Sequence, residues 1–425
     1  MRIRFKGARI VDPGKTNAVK DLVVKDGVIE SLIDPLEPDT EPDTQVIDVS
    51  GMTLVPGLID LHVHFREPGE EYKETLETGA RAAVRGGFTA VCPMANTNPV
   101  NDNAQVTRFI VNRAEELKLC RIYPVGAISV GLKGKTLAEY GDMKQAGIAA
   151  ISDDGHPVAD SGLMRRAMEY AGSFNLPVIS HSEDKGLSRD GAMNEGAVAT
   201  RLGIKGIPNA AESAFIMRET ALAELTGVSI HIAHVSCEES VDAIRNAKNR
   251  GIKVTCETAP HYFTLTDEAV KDYDTFAKMN PPLRPETDRQ AIIKGLADNT
   301  IDIIATDHAP HSLMEKDVEF DRAAFGIVGL ETSLPLSLKL VQDGHITFEA
   351  LIEKMSRKPA AILGIDNSLK PGNPADITII DEKPEYALDP DTFFSKGRNT
   401  PFAGFKVKGE VVLTMVQGRI VYQRT

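Results

Sequence analysis

Thiols are scarce in this chain. Cys92, Cys120, Cys237 and Cys256 are the only four cysteines in 425 residues, and no two form a Cys-x-x-Cys pair. That spacing excludes a zinc ribbon and a disulfide framework and leaves reduced, buried thiols as the expectation. Basic residues are also in deficit, with 48 Lys and Arg against 61 Asp and Glu and a formal net charge of −13. Nucleic acid and anionic membranes are thereby excluded as general partners, because phosphate binding needs a basic footprint. An anionic substrate has to be held by a few local cations. No uncharged apolar run is long enough to span a bilayer, and Met-Arg-Ile-Arg-Phe-Lys-Gly at the start has no apolar core of a secretion signal. The expectation is a soluble, cytoplasmic protein. Solenoid-period repeats and low-complexity tracts are missing as well.

What is present is an alternation of two textures. Up to about residue 54 the pattern is short strands and turns (9–11, 21–24, 28–33 and 45–49, with Asp12-Pro-Gly and Asp26-Gly as turns), and it returns after Gly372. Neither end alone has enough strands for a stable sheet, so residues 1–54 and 367–425 are expected to build one composite, β-sandwich-like module. Between them, apolar strands are expected at 58–64, 89–92, 121–125, 149–152, 178–181, 229–234, 253–257 and 302–306. Helical stretches such as 74–85, 104–118, 162–171, 211–226, 239–249 and 289–297 fall in the intervals. Eight strands alternating with helices predict an α/β fold, a (β/α)8 TIM barrel over residues 55–366.

Catalytic residues of such barrels sit at the C-terminal ends of the strands. Those ends carry His62 and His64, Asp153 and Asp154, His181, His234, and Asp307 with His308. His62 and His64, at i and i+2, leave a strand on one face. Imidazole nitrogen and carboxylate oxygen without thiolate are zinc-type ligands, and four histidines with two aspartates suffice for two ions sharing a carboxylate. Two such cations make a shared water a nucleophile near neutral pH, and a neighbouring aspartate can take its proton and pass it to a leaving nitrogen. That combination is amide hydrolysis. Arg66, two residues beyond His64, can hold a carboxylate bidentately.

At these positions the chain resembles the cyclic amidohydrolases, and more closely the type I dihydroorotases. The motifs that carry the resemblance are Asp60-Leu-His-Val-His-Phe-Arg-Glu-Pro-Gly69, Asn96-Thr-Asn-Pro99, Ser152-Asp-Asp-Gly155, Ser180-His-Ser-Glu-Asp184, His231-Ile-Ala-His-Val-Ser236, Lys278-Met-Asn-Pro-Pro-Leu-Arg284, Ala305-Thr-Asp-His-Ala-Pro-His311 and Phe325-Gly-Ile-Val-Gly-Leu-Glu331. The resemblance implies that His62 and His64 bind one zinc ion and His181 and His234 a second, with Asp154 bridging and Asp153 its competitor. Many relatives carry a carboxylated lysine at the bridge; an aspartate there argues against a hydantoinase. Asp307 is then a ligand and the general base and acid. Asn96, Asn280, His311 and the backbone of Phe325 and Gly326 resemble the family's substrate contacts, while Cys92-Pro-Met-Ala-Asn-Thr97 departs from the relatives' Met-Pro-Asn-Thr.

The implied reaction is reversible cyclisation of N-carbamoyl-L-aspartate to (S)-dihydroorotate in pyrimidine synthesis. Closure expels water from a carboxyl group, so low pH favours the ring. A homodimer is common for the fold, and some type I dihydroorotases associate with aspartate transcarbamoylase. The alternatives are an allantoinase or dihydropyrimidinase, whose hydantoin-type substrates have no use for Arg66, and a non-catalytic scaffold, in which the metal ligands are typically lost. Among the other histidines, His231 points to the opposite strand face in a structural role, while His261 and His308 are placed to orient ligands. His156 and His345 read as loop or helix residues, and the charged segment 313–324 as a mobile lid or a surface loop.

Overall fold

The computed structural model describes residues 1–35 and 43–424. Eight strands from the two ends of the chain form one sheet, in the order Arg419–Gln423, Lys406–Val416, Ile377–Ala387, Thr53–Pro56, Arg2–Asp12, Thr16–Lys25 and Val28–Ile33, with Thr44–Asp48 pairing beside Arg2–Asp12. Alternating apolar residues of these strands, among them Ile3, Phe5, Ile10, Leu22, Leu54, Ile377, Leu413 and Met415, build their own core. Thr378 and Thr414 fasten the sheet to the rest of the molecule, their hydroxyls donating to the carbonyls of Gly87 and Val84 at 2.6 Å.

The middle of the chain is α/β with parallel strands. Leu58–Val63 pairs with Phe88–Pro93, which pairs with Arg121–Ile122; Val125–Gly126 continues to Ala150–Ile151, Val178–Ser180, Ile230–Ile232, Val254–Thr258 and Ile303–Ile304. The strand expected at 121–125 is split in two because Pro124 has no N–H for the ladder. The two parallel sheets meet elsewhere as well: Val63 bridges His308, whose carbonyl accepts the amide of His64 at 2.8 Å. Buried Asp60 reinforces that seam, its carboxylate accepting the amides of His62 and Thr306 at 3.1 Å each.

Helices cover the strands and begin where the sequence supplies caps. Thr75 and Thr78 cap Leu76–Arg85 reciprocally, and Asn103 and Asp160 accept first-turn amides of Ala104–Leu117 and Ser161–Gly172. Ser333–Gln342 and Lys358–Leu363 are further helices of this part of the chain. Among the described residues, no helix is long and apolar enough to cross a membrane.

Candidate metal centre and substrate pocket

Four imidazoles converge on one carboxylate at the C-terminal ends of the parallel strands. Asp154 Oδ1 lies 3.3 Å from His62 Nε2, 3.4 Å from His181 Nδ1 and 3.5 Å from His234 Nε2, while Oδ2 lies 3.5 Å from His64 Nε2. Asp307 Oδ1 stands 3.2 Å from His64 Nε2 and 3.6 Å from His62 Nε2. The donor atoms fall into two overlapping groups that could each hold a cation, His62, His64 and Asp154, and Asp154, His181 and His234. Asp154 is common to both. Asp153 turns the other way: its carboxylate accepts the Ser129 amide at 3.0 Å and the Ser129 hydroxyl.

Local backbone explains how loop residues are aimed so closely. Arg66, His234 and Asp307 have φ of 63°, 36° and 49°, in the left-handed region that non-glycine residues adopt at a cost and that concentrates at functional sites. The electrostatics follow from burial and proximity. Burial opposes ionisation of Asp154 and Asp307, but the histidines around them outweigh it and hold both carboxyls well below the ordinary carboxylate range. Buried His62 Nε2 and Asp154 Oδ1 have no hydrogen-bond partner, the condition of atoms that a cation would satisfy. These residues therefore fit a divalent metal.

Partners behind the imidazoles fix their orientation. His62 Nδ1 meets Glu257 Oε1 at 2.8 Å, His64 Nδ1 meets Asn96 Oδ1 at 2.9 Å, and His181 Nε2 meets Glu183 Oε2 at 3.0 Å. Such outer partners orient a metal-binding ring and raise its basicity. Glu183 Oε2 also accepts Lys185 Nζ at 2.6 Å and Asn280 Nδ2 at 3.0 Å. Neither Glu183 nor Glu257 was singled out from the sequence. A carboxylate two residues after His181, and one at the end of the expected strand 253–257, were the available signals.

A cavity of about 270 Å³ opens beside the cluster, lined by His64, Arg66, Asn96, Asp154, His181, His234, Asn280, Asp307, His311, Phe325 and Gly326, with Lys185 and Arg189 as cations the sequence reading passed over. Arg66 is 8 % exposed and lines this pocket. Its Nε donates to the Pro310 carbonyl at 3.3 Å, and its Nη2 lies 3.4 Å from His311 Nε2. Burial and the Arg66 charge push the His311 pKa down to about 2, which leaves its ring neutral. Gly326 has φ of 122°, and a Cβ there would stand 2.6 Å from that of Ala309. Only glycine brings the backbone this close. A larger hollow of about 590 Å³, between the end of Ala104–Leu117 and Gln417, gathers no comparable set of groups.

The remaining histidines have local partners. His231 bonds Thr255 Oγ1 and Glu257, and His308 bonds Glu74 and the amides of Gly329 and Leu330. His261 is fully buried, which lowers its pKa to about 4. The segment after His311 is anchored at several points: its short helix Leu313–Lys316 ends on a buried lysine, whose Nζ donates to the carbonyls of Lys278 and Ala324 at 3.2 and 2.7 Å.

Comparison with known proteins gives a consistent answer. The family described as dihydro-orotase-like matches residues 51–240. A dihydroorotase of Desulforapulum autotrophicum is 71% identical over 424 residues, covering 100% of both chains, and one of Geobacter metallireducens is 53% identical over 426 residues with the same coverage. Among solved structures, an L-hydantoinase (dihydropyrimidinase) of Arthrobacter aurescens superposes with a TM-score of 0.89 at 26% identity, covering 99% of this chain and 96% of that one. A dihydropyrimidinase of Brevibacillus agri, at 20% identity and a TM-score of 0.84 over 100% of this chain and 95% of its own, shares the fold.

Proposed function

This chain belongs to the dihydroorotase family and is a cyclic amide hydrolase of pyrimidine synthesis, and we propose the residues through which it interconverts N-carbamoyl-L-aspartate and (S)-dihydroorotate. The observation that carries the proposal is the convergence of His62, His64, His181 and His234 on Asp154, with Arg66 lining the same cavity. His62, His64 and Asp307 would hold one zinc ion and His181 and His234 a second, with Asp154 between them. When bound, the ions would supply Lewis acidity at the scissile carbonyl and a water of lowered pKa.

The protein's own groups do the rest. Arg66 and the Asn96 amide receive the substrate carboxylate; because Asn96 spends its Oδ1 on His64 Nδ1, its NH2 is free to face the ligand. Asn280 spends its Nδ2 on Glu183, so its carbonyl accepts a ring N–H. The Phe325–Gly326 backbone lines the same wall as His311, whose Nε2 lies 2.8 Å from the Phe325 carbonyl. In the hydrolytic direction Asp307, ionised at rest, takes the proton of the attacking water and delivers it to the nitrogen leaving the carbonyl carbon. Ring closure reverses this: nitrogen attacks the carboxyl carbon, Asp307 takes the N–H proton and returns it to the departing oxygen, which leaves as water with one further proton from solvent. Closure consumes one proton net, so each pH unit shifts the ring-to-open ratio by about tenfold toward the open form as pH rises. The same proposal includes a closed (β/α)8 barrel, supported by the bridge from Val63 to His308 and by the continuity of chain between Ile122 and Val125.

The test is Asp307→Asn in the purified protein. Metal content measured by elemental analysis is expected to remain near that of the parent, with turnover of dihydroorotate lost; substantial residual turnover would remove Asp307 from its role. A panel of dihydroorotate, dihydrouracil and allantoin probes the carboxylate contacts. Preference for either of the latter two would sink the Arg66 assignment.

A further inference from the structure

Behind His62 a line of hydrogen bonds leads away from the pocket toward the N-terminal ends of the strands. His62 Nδ1 lies 2.8 Å from Glu257 Oε1, Glu257 Oε2 lies 3.1 Å from His231 Nε2, and His231 Nδ1 lies 2.9 Å from Thr255 Oγ1. His62, Glu257 and His231 are all within 2 % of full burial, so water does not compete for these bonds. His231 and Thr255 are register partners on adjacent strands, which holds the last link rigid.

With both imidazoles neutral, as a cation bound at His62 Nε2 requires of His62, the order of donors along this line is fixed. An ionised carboxylate can only accept, so Glu257 requires an N–H at His62 Nδ1 and another at His231 Nε2. In a neutral imidazole the second nitrogen is then a bare acceptor. His231 Nδ1 must receive the Thr255 O–H, and His62 Nε2 must present a lone pair. The latter is the buried atom with no partner, 3.3 Å from Asp154 Oδ1. Reversing any one bond would leave a buried donor or acceptor unpaired, at about 1–3 kcal/mol.

We propose that Thr255, His231 and Glu257 are positioning residues that fix His62 as its Nδ1–H tautomer and thereby set the metal affinity of the centre from the floor of the strand assembly. The far end of the line abuts a cavity of about 430 Å³ lined by Ser229, His231, Thr255, Ile303, Lys358 and Ile362, so the Thr255 end can be altered without touching the substrate pocket. The inference rests on the reading of His62 as a metal ligand.

The experiment titrates the purified full-length holoprotein with a chelator and records the visible spectrum of the Co2+-substituted form. His231→Leu is expected to weaken retention of an ion by about 10–100-fold and to shift the Co2+ bands. His231→Gln restores an N–H toward Glu257 and an acceptor toward Thr255, and should stay within about threefold of the parent. Thr255→Val, nearly isosteric, should weaken retention by a smaller factor in the same direction; it keeps the test open if the leucine variant does not fold. Parent-like retention in His231→Leu and Thr255→Val overturns the proposal. So does a His231→Gln protein as impaired as His231→Leu, because packing, not donor order, would then be at stake. His62→Ala separates the two readings: parent-like affinity there overturns the ligand assignment, whereas loss in His62→Ala with none in His231→Leu overturns the relay alone.

Discussion

Two neighbouring aspartates with opposite duties show what one residue's direction decides. Asp154 faces four imidazoles, and Asp153 faces the Ser129 amide and hydroxyl. Asp154→Asn is therefore expected to strip bound metal with little change in fold. Asp153→Ala should keep the metal but cost about 1–3 kcal/mol in urea unfolding, because two Ser129 donors lose their acceptor; the opposite pattern in metal analysis would exchange the two roles. Arg66→Met should raise KM for dihydroorotate by about 10–100-fold, the worth of a charge-assisted bond, with metal content unchanged. Residues at strand ends were legible in the sequence because an apolar run followed by a ligand-type side chain marks both element and position. Glu257 and Glu183 were not: nothing local says that a carboxylate will meet an imidazole 195 positions away in one case and an asparagine 97 positions away in the other.

Whole elements were legible wherever apolar periodicity was clean. The parallel strands are found within a residue or two of 58–64, 89–92 and 253–257, and the interruption at Pro124 is the sort of detail that pairing, not composition, decides. The segment after His311 is legible only in part. As its charge suggested, it lies at the surface, with Leu313 64 % and Met314 86 % exposed, but Lys316 within it and Lys278 beneath it are 1 % and 2 % exposed. Lys278 Nζ donates to the carbonyls of Phe320 and Asp321 at 2.7 and 3.0 Å, and its carbonyl accepts the Gly326 amide at 2.9 Å. The element bearing Asn280 and the one bearing Gly326 are thus stapled together. Burial, with the Lys278 charge adding to it, lowers the Lys316 pKa from 10.5 to about 7. A base depressed in the folded state binds fewer protons there than in the unfolded chain, so its contribution makes stability rise with pH between those two values. Lys316→Met is expected to flatten that rise by up to about 1.4 kcal/mol per pH unit, seen in urea midpoints between pH 7 and 10. An unchanged slope would mean that the ammonium is not desolvated.

At the scale of the molecule, the proposed ligands lie on strand ends spread from His62 to Asp307, so metal binding ties most of the parallel sheet together. Chelation is expected to lower the melting temperature, because ligand that binds only the folded state stabilises it in proportion to the logarithm of its excess over Kd; an unchanged scan after verified metal removal would show that the centre is held by protein packing alone. The two-ended sheet has a consequence of another kind. Thr53–Pro56 runs directly into the strand bearing His62, and its hydrogen-bonding edge is completed by Ile377–Ala387, with Thr53 Oγ1 bonded to Glu382 across 329 positions of chain. At ordinary elongation rates the ribosome needs roughly 15–65 s to traverse that interval. During it the nascent chain carries an open β-edge next to a half-built metal site, an exposed template for pairing with other chains until Ile377–Ala387 emerges.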